Sequence, residues 1–341
     1  MRVPFHRPSV GGHATQLIAD VLNSGWITSG PMTERLESMV RELTGARHAV
    51  AVNSATTGMM LCMRFVGADF WYVPAFGGHF YANAVKFSGG SVALLLDCGD
   101  DLTTGSSMDF GGRACRARHG KSGCFTLCDS AYSLGGIGRD GKPIGTQADA
   151  HVFSLQATKQ ITCGEGGIIT TDIDELAAWL KRARCHGMDA DSHTRKRHGY
   201  DIVQPGGAFL LSDILAAVAV AQMETFEERH TRRNNIRVRY HEMIGRCGYF
   251  ACDEAHGLHV LRVPKRDEFI AKMAERGVSC KVHYPLISDL TAWKHLDTRD
   301  CPNAKKAASE VASLPLYSSM TDEEVEYVCT AARETLAELE A

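Results

Sequence analysis

Along the chain, short continuous apolar runs alternate with segments whose apolar residues recur every three or four positions. Residues 14–24 and 32–43 carry the helical spacing and read as capped helices. Ala49-Val50-Ala51-Val52-Asn53 has no polar face until its end, which predicts the first strand of a large buried sheet. It runs into the small hydroxyl-rich turn Ser54-Ala55-Thr56-Thr57-Gly58 and then an apolar helix from Met59 to Phe65. Strands and helices go on alternating as far as Thr171, which predicts a mostly parallel sheet flanked by helices. Helical periodicity returns over Glu175 to His186 and over Leu215 to Ile244, the second long enough to join two domains. The apolar run Leu258 to Val263 opens a smaller α/β unit, whose helix from Phe269 to Arg276 is stopped by Gly277. The expected division is a large domain over residues 1–240 and a small C-terminal domain over 241–341.

Composition changes this picture little. A chain of 341 residues is long enough for one large and one small domain, and 44% hydrophobic with 23% charged residues is ordinary for a globular protein. A net charge of −3 gives no footprint for nucleic acid or a membrane surface. The longest apolar runs, Val92 to Leu96 and Ile214 to Val220, are far shorter than a membrane span. No basic-then-apolar leader opens the sequence, so a cytoplasmic protein is expected. The chain has twelve cysteines, none in a Cys-x-x-Cys pair; the nearest two are Cys124 and Cys128. That spacing predicts reduced core residues and no metal site.

Chemistry concentrates in Phe153-Ser154-Leu155-Gln156-Ala157-Thr158-Lys159, which leaves an apolar strand and reaches a Gly-rich turn at Gly164 to Gly167 before a second apolar run. A lysine held between buried strands makes its ammonium costly and favours the neutral amine, a nucleophile toward carbonyls. Ser154, five positions earlier, can bring a hydroxyl to the same pocket. An amine for a carbonyl and a hydroxyl for a phosphate are what a pyridoxal phosphate (PLP) site requires; taken alone, the motif also suits a surface lysine beside a glycine turn. Upstream, Gly123 to Asp129 reads as a buried strand ending in a carboxylate. Ligands collect beyond the carboxyl ends of strands in α/β sheets, so Asp129 would share a crevice with Lys159. Opposite charges at about 4 Å in an effective dielectric of about 20 gain on the order of 4 kcal/mol, about 3 pK units for a pyridinium partner. The turn at Ser54 to Thr57 would offer backbone N–H groups and a helix dipole to an anion, or be an ordinary N-cap.

In order along the chain, these pieces and several others resemble the DegT/StrS-type family of PLP-dependent sugar aminotransferases. The resemblance is carried by Val3-Pro4-Phe5-His6-Arg7-Pro8, Asn23 to Pro31, Ala51 to Thr56, Asp129-Ser130-Ala131 and Phe153 to Gly167, then by Leu211-Ser212-Asp213-Ile214, His283-Tyr284-Pro285-Leu286 and Ser313 to Tyr317. The runs Ser54 to Met59 and Ile161 to Gly167 are most similar to the branch that makes UDP-4-amino-4-deoxy-L-arabinose. The resemblance implies PLP fold-type I and a homodimer with active sites at the subunit interface. It implies amino transfer from glutamate to a nucleotide-linked keto sugar, with Lys159 as the Schiff-base lysine and proton-transferring base. Asp129 becomes the pyridinium partner, and Ser154 with Ala55 and Thr56 the phosphate holders.

Four departures bear on the site. The position at which relatives stack an aromatic ring on the cofactor is Gly78, leaving His79 or Phe80 to serve. Tyr132 stands where His or Gln is usual, and its phenol would meet the cofactor's 3′ oxygen. Ala208 and Leu210 replace an Asn and an Arg that reach the partner subunit's phosphate, a loss of roughly 1–3 kcal/mol for each bond missing. The stretch from 98 to 128 is short for the additional helix-bearing unit that relatives place there. Residues 187–207, rich in His, Arg, Lys and Gly, read as a mobile loop over the site or as a solvated charged run. Two alternatives remain open: other PLP chemistry on sugars, such as dehydration, though that branch usually replaces the lysine by histidine, and a catalytically idle cofactor-binding homologue.

Overall fold

The computed structural model of the chain describes residues 1–77, 79–97, 112–115, 124–138, 140–189, 200–245 and 257–340. Helices α1 (Gly12–Ser24) and α2 (Pro31–Thr44) precede β1 (His48–Val52), α3 (Ala55–Val66), β2 (Phe70–Pro74), α4 (His79–Phe87) and β3 (Ser91–Leu96). Strands β4 (Gly112–Cys115), β5 (Cys124–Asp129), β6 (Ala150–Ser154) and β7 (Gly167–Thr171) follow, then α5 (Asp174–Ala183), α6 (Asp213–Met223) and α7 (Phe226–Ile244). The C-terminal part holds β8 (His259–Arg262), α8 (Arg266–Glu275), α9 (Pro302–Glu310), β9 (Val311–Leu314) and α10 (Asp322–Glu340).

The large sheet has the order β1-β7-β6-β5-β4-β2-β3. Strands β1, β6, β5, β2 and β3 run one way, and β7 and β4 run against them. The expected mostly parallel arrangement therefore holds for five of seven strands. β7 reverses because only a loop without a helix joins it to β6, and a parallel return would need a crossover.

Helices cover both faces. Val50, Val52, Val152 and Ile169 on one face pack with Met59, Met63, Leu176 and Leu180 of α3 and α5. On the other, Ala49, Ala51, Phe153 and Ile168 meet Leu17, Leu36, Val40 and Val220 of α1, α2 and α6. Gly58 lets α3 lie close to the sheet: a Cβ there would come within 3.0 Å of Ile169 Cγ1 and 3.2 Å of Val152 Cγ1. Asp213, 1% exposed, caps α2 from the start of α6. Its carboxylate accepts from the N–H groups of Gly30, Met32 and Thr33 at 2.7, 3.0 and 3.0 Å, and from the Thr33 hydroxyl at 2.7 Å. A buried Glu37–Arg184 pair adds a second tie, with both residues hydrogen-bonded to the backbone of Ala51.

A separate cluster is built on the antiparallel pair β8–β9 with α8, α10 and the end of α7, and Ile236 and Tyr240 already belong to it. The N-terminal segment reaches this cluster through Val3, which pairs with Gly277 and Ser279. The predicted helix over 215–244 is two helices, α6 and α7, broken at Glu224 and Thr225, where Glu224 holds Arg35 and His13. Among the described residues, the cysteine side chains are buried and none forms a disulfide. Among the described residues, no helix is long and apolar enough to cross a membrane.

Candidate active site

Three chain turns at one end of the sheet form the site. Ser54 caps α3, accepting from the Thr57 N–H at 3.1 Å, and leaves Ala55 and Thr56 at the exposed start of a 12-residue helix. Gly167 permits this turn to sit against β7: a Cβ at Gly167 would come 2.5 Å from the Ala55 nitrogen. Asp129 and Ser154 end the adjacent parallel strands β5 and β6. The Ser154 hydroxyl accepts from the Gln156 N–H at 3.3 Å, which leaves its own proton free to donate.

Beyond Ser154 the chain folds into a tight loop. The Leu155 carbonyl accepts from Cys163 N–H at 3.0 Å and the Thr162 hydroxyl at 2.9 Å, and Gln222 of α6 hydrogen-bonds both backbone groups of Thr162. Gln160 donates to the Tyr132 carbonyl at 2.6 Å. Lys159 stands on this braced loop, 9% exposed, with its ammonium 3.2 Å from the centroid of the Tyr132 ring.

These turns enclose a cleft of about 480 Å³. Ala55, Thr56, Asp129, Tyr132, Ser154 and Lys159, all predicted from the sequence, line it together. His79 does not: it packs against Phe80, ring centroids 3.9 Å apart, and Phe80 occupies the wall. Gln156, Thr158, Glu165, His283 and Tyr284 also face the cleft and were not predicted as site residues. Gln156 and Thr158 could have been suspected from their place between Ser154 and Lys159. His283 and Tyr284 come from the C-terminal part, where no local spacing ties them to the lysine.

Burial sets much of the electrostatics. It pushes the Asp129 carboxyl above its ordinary range, and the Lys159 charge and the Ala131 N–H, at 3.1 Å, offset it only in part. Burial also holds His283 neutral, lowering it to about 3 with help from the charges of Lys159 and Lys281; its Nδ1 meets Ser313 Oγ at 2.9 Å. His6, from the N-terminal segment, is lowered to about 4 by burial, then by Arg233, against a hydrogen bond to the Ala157 backbone. Arg233 lies on α7 behind the cleft and burial lowers it to about 10, while Arg232 is structural, bonding Met320 and Asp322 at the start of α10.

Ala208 and Leu210 lie on the extended segment between α5 and α6 and are not on the cleft wall. The ends of the 187–207 stretch are fastened to α5, with Gln204 bonding Trp179 and Arg182. Its middle, residues 190–199, lies outside the described residues, as do Gly78 and most of the shortened 98–128 stretch.

The sequence matches the model of the DegT/DnrJ/EryC1/StrS aminotransferase family over residues 8–77 and 109–333. The fold superposes on Spr1654 from Streptococcus pneumoniae, described as a sugar aminotransferase, with a TM-score of 0.88 at 24% identity, covering 99% of this chain and 100% of that one in its PMP form. The aminotransferase TlmJ from Streptoalloteichus hindustanus gives 0.84 at 24% identity over the whole of both chains. DesI, solved in the presence of its TDP-sugar product, gives 0.79 at 22% identity over 98% of this chain and 94% of that one.

Proposed function

The chain belongs to the DegT/DnrJ/EryC1/StrS aminotransferase family, and from that premise we propose that it moves an amino group from glutamate onto a keto sugar carried on a nucleotide. Its fold is the fold-type I architecture of PLP-dependent enzymes. Spr1654 is known in both PLP and PMP forms, the two states between which amino transfer alternates, and DesI has a TDP-sugar product.

The observation that carries the proposal is the convergence of Lys159, Asp129, Ser154 and the Ala55–Thr56 turn on one cleft. These residues suit PLP on their own chemistry. Asp129 is a buried carboxylate whose burial is not balanced by its neighbours, so a cationic ring nitrogen beside it would relieve a standing cost. The start of α3 and the free proton of Ser154 form an anion cradle, kept open by Gly167. Bound there, the cofactor supplies the electrophilic carbonyl and electron-withdrawing ring that amino transfer requires. Lys159 would provide the amine and carry the proton between donor carbon and acceptor. Asp129 would keep the ring nitrogen protonated. Ala55, Thr56 and Ser154 would hold the phosphate, the Tyr132 phenol would serve the 3′ oxygen, and Phe80, backed by His79, would supply the aromatic wall.

We also propose a homodimer working in the cytoplasm, and a division near residue 240 into large and small domains. The division is supported by the second core, which takes in the later turns of α7. Exposed Trp26, Ile27, Tyr200, Ile202 and Val203 offer apolar surface for a subunit contact. The test is spectroscopic. Glutamate should discharge the visible absorbance of lysine-bound PLP, and a nucleotide-linked keto sugar should restore it. A protein that binds PLP but ignores glutamate would be a non-catalytic homologue.

A further inference from the structure

Two residues of the cleft wall, Gln156 and Glu165, have no part in the roles above. The chain holds them side by side. The Leu155 N–H donates to the Gly166 carbonyl at 2.9 Å, the Leu155 carbonyl accepts from Cys163 N–H at 3.0 Å, and Gln156 pairs with Gly164 in a parallel bridge. Glu165 is thus the residue next to the one that Gln156 pairs with.

The orientation of the Gln156 amide is fixed. Its Oε1 accepts from the Thr158 N–H at 2.9 Å and from the Thr158 hydroxyl at 2.7 Å. A backbone N–H can only donate, so the atom it meets is the oxygen, and Nε2 keeps both its protons for another partner. Among the described residues, none accepts those protons and none hydrogen-bonds the Glu165 carboxylate. The wall therefore carries a fixed donor beside a group that only accepts.

Few ligand groups suit both. A phosphate or a carboxylate accepts from the amide but meets the Glu165 charge, and an ammonium cannot accept from the amide at all. A hydroxyl does both, accepting on its lone pairs and donating its proton. A sugar ring offers such groups on adjacent carbons. We propose that Gln156 and Glu165 form a hydroxyl-reading subsite for the acceptor, which selects keto sugars that retain free ring hydroxyls over their deoxy counterparts. This rests on the amino transfer to a keto sugar proposed above.

The subsite is built into the turn that carries the reactive amine. The Lys159 N–H donates to the Gln156 carbonyl at 2.9 Å, so a hydroxyl held by the Gln156 amide is placed relative to Lys159 by a single short turn. Glu165 is exposed and Gln156 half-buried, so water can take the place of a missing hydroxyl. The selectivity expected is about tenfold, well below the roughly 10⁴-fold rejection of a sealed polar site.

The experiment uses the full-length, PLP-loaded chain, first discharged with glutamate. Return of the visible absorbance is then followed with UDP- and dTDP-linked keto hexoses, each beside its 2-deoxy and 3-deoxy counterparts. Wild type should use a hydroxylated sugar at least about tenfold better, in kcat/KM, than one of its deoxy counterparts. Gln156→Glu keeps an oxygen for Thr158 but turns the donor into an acceptor, and Glu165→Gln keeps the shape without the charge. In each variant the preference should fall toward unity. Because it is a ratio measured on one protein, a general loss of activity cancels from it. Equal use of hydroxylated and deoxy sugars by wild type, or a preference that survives both substitutions, overturns the subsite and leaves amino transfer standing. Weaker PLP retention by both variants in equilibrium dialysis, with the preference intact, would move the pair to the phosphate and also overturn it. A wild type that glutamate discharges but no keto sugar restores overturns the proposed function and the subsite with it.

Discussion

Asp129→Asn should have opposite effects on stability and on catalysis. The substitution replaces a carboxylate by an amide of the same shape at a site 6% exposed, and Ala131 keeps an acceptor for its N–H. Without cofactor the charge is a burden, because burial raises the folded-state pKa beyond what Lys159 and Ala131 offset. A raised folded pKa gives stability that is present below the unfolded carboxylate value and is lost as pH rises through the folded one. At pH 7 the cofactor-free wild type carries that cost and the variant does not. The variant should therefore melt at the same or a higher temperature at pH 7, with the difference closing below about pH 4. With cofactor bound, the lost ion pair is worth on the order of 4 kcal/mol, about 3 pK units on the ring nitrogen. Turnover should fall about 10²–10³-fold. The assays are thermal unfolding of the cofactor-free proteins at pH 4 and 7 and turnover of the loaded ones. A variant that melts lower at pH 7 would make Asp129 a structural carboxylate, and one keeping most of its turnover would remove it from the site.

Other substitutions probe the frame around the site. Gly167→Ala drives a methyl toward the Ala55 nitrogen, so it should cost about 1–3 kcal/mol in urea unfolding and weaken PLP retention, whereas unchanged retention would separate this turn from the phosphate. Asp213→Ala strips the acceptor from three N–H groups and a hydroxyl at the start of α2, and should destabilise by about 2–4 kcal/mol in the same assay. Ala208→Asn places an amide where the family resemblance implies one, and equilibrium dialysis should show cofactor held about tenfold more tightly. Equal, tight retention by wild type would mean that another residue supplies the contact.

Much of the frame could be read from the chain because its signals are local. Strand β1, the Ser54 cap and the Ser154–Lys159 spacing each lie within a dozen residues, and the structure brings the last two to one cleft. The break between α6 and α7 was hidden because both halves are helical by period. It is fixed by the distant partners of Glu224 and by a change from the buried, apolar α6 to the polar α7. The same limit explains Tyr284 and His283, whose place opposite Tyr132 depends on how the C-terminal part packs on the sheet. For the aromatic wall the sequence offered two neighbouring residues, and helix phase at the start of α4 decides between them: Phe80 faces in and His79 lies beside it.

The central claim is amino transfer through Lys159, and one titration tests it most directly. PLP-loaded protein is mixed with glutamate, then with a panel of nucleotide-linked keto sugars, while the visible absorbance is followed and the sugar product is weighed by mass spectrometry. Wild type should lose the absorbance with glutamate, regain it with one of the sugars and yield the amino sugar, and Lys159→Ala should show no visible band and no product. Absorbance that glutamate leaves untouched, or amino sugar formed by Lys159→Ala at the wild-type rate, would contradict it.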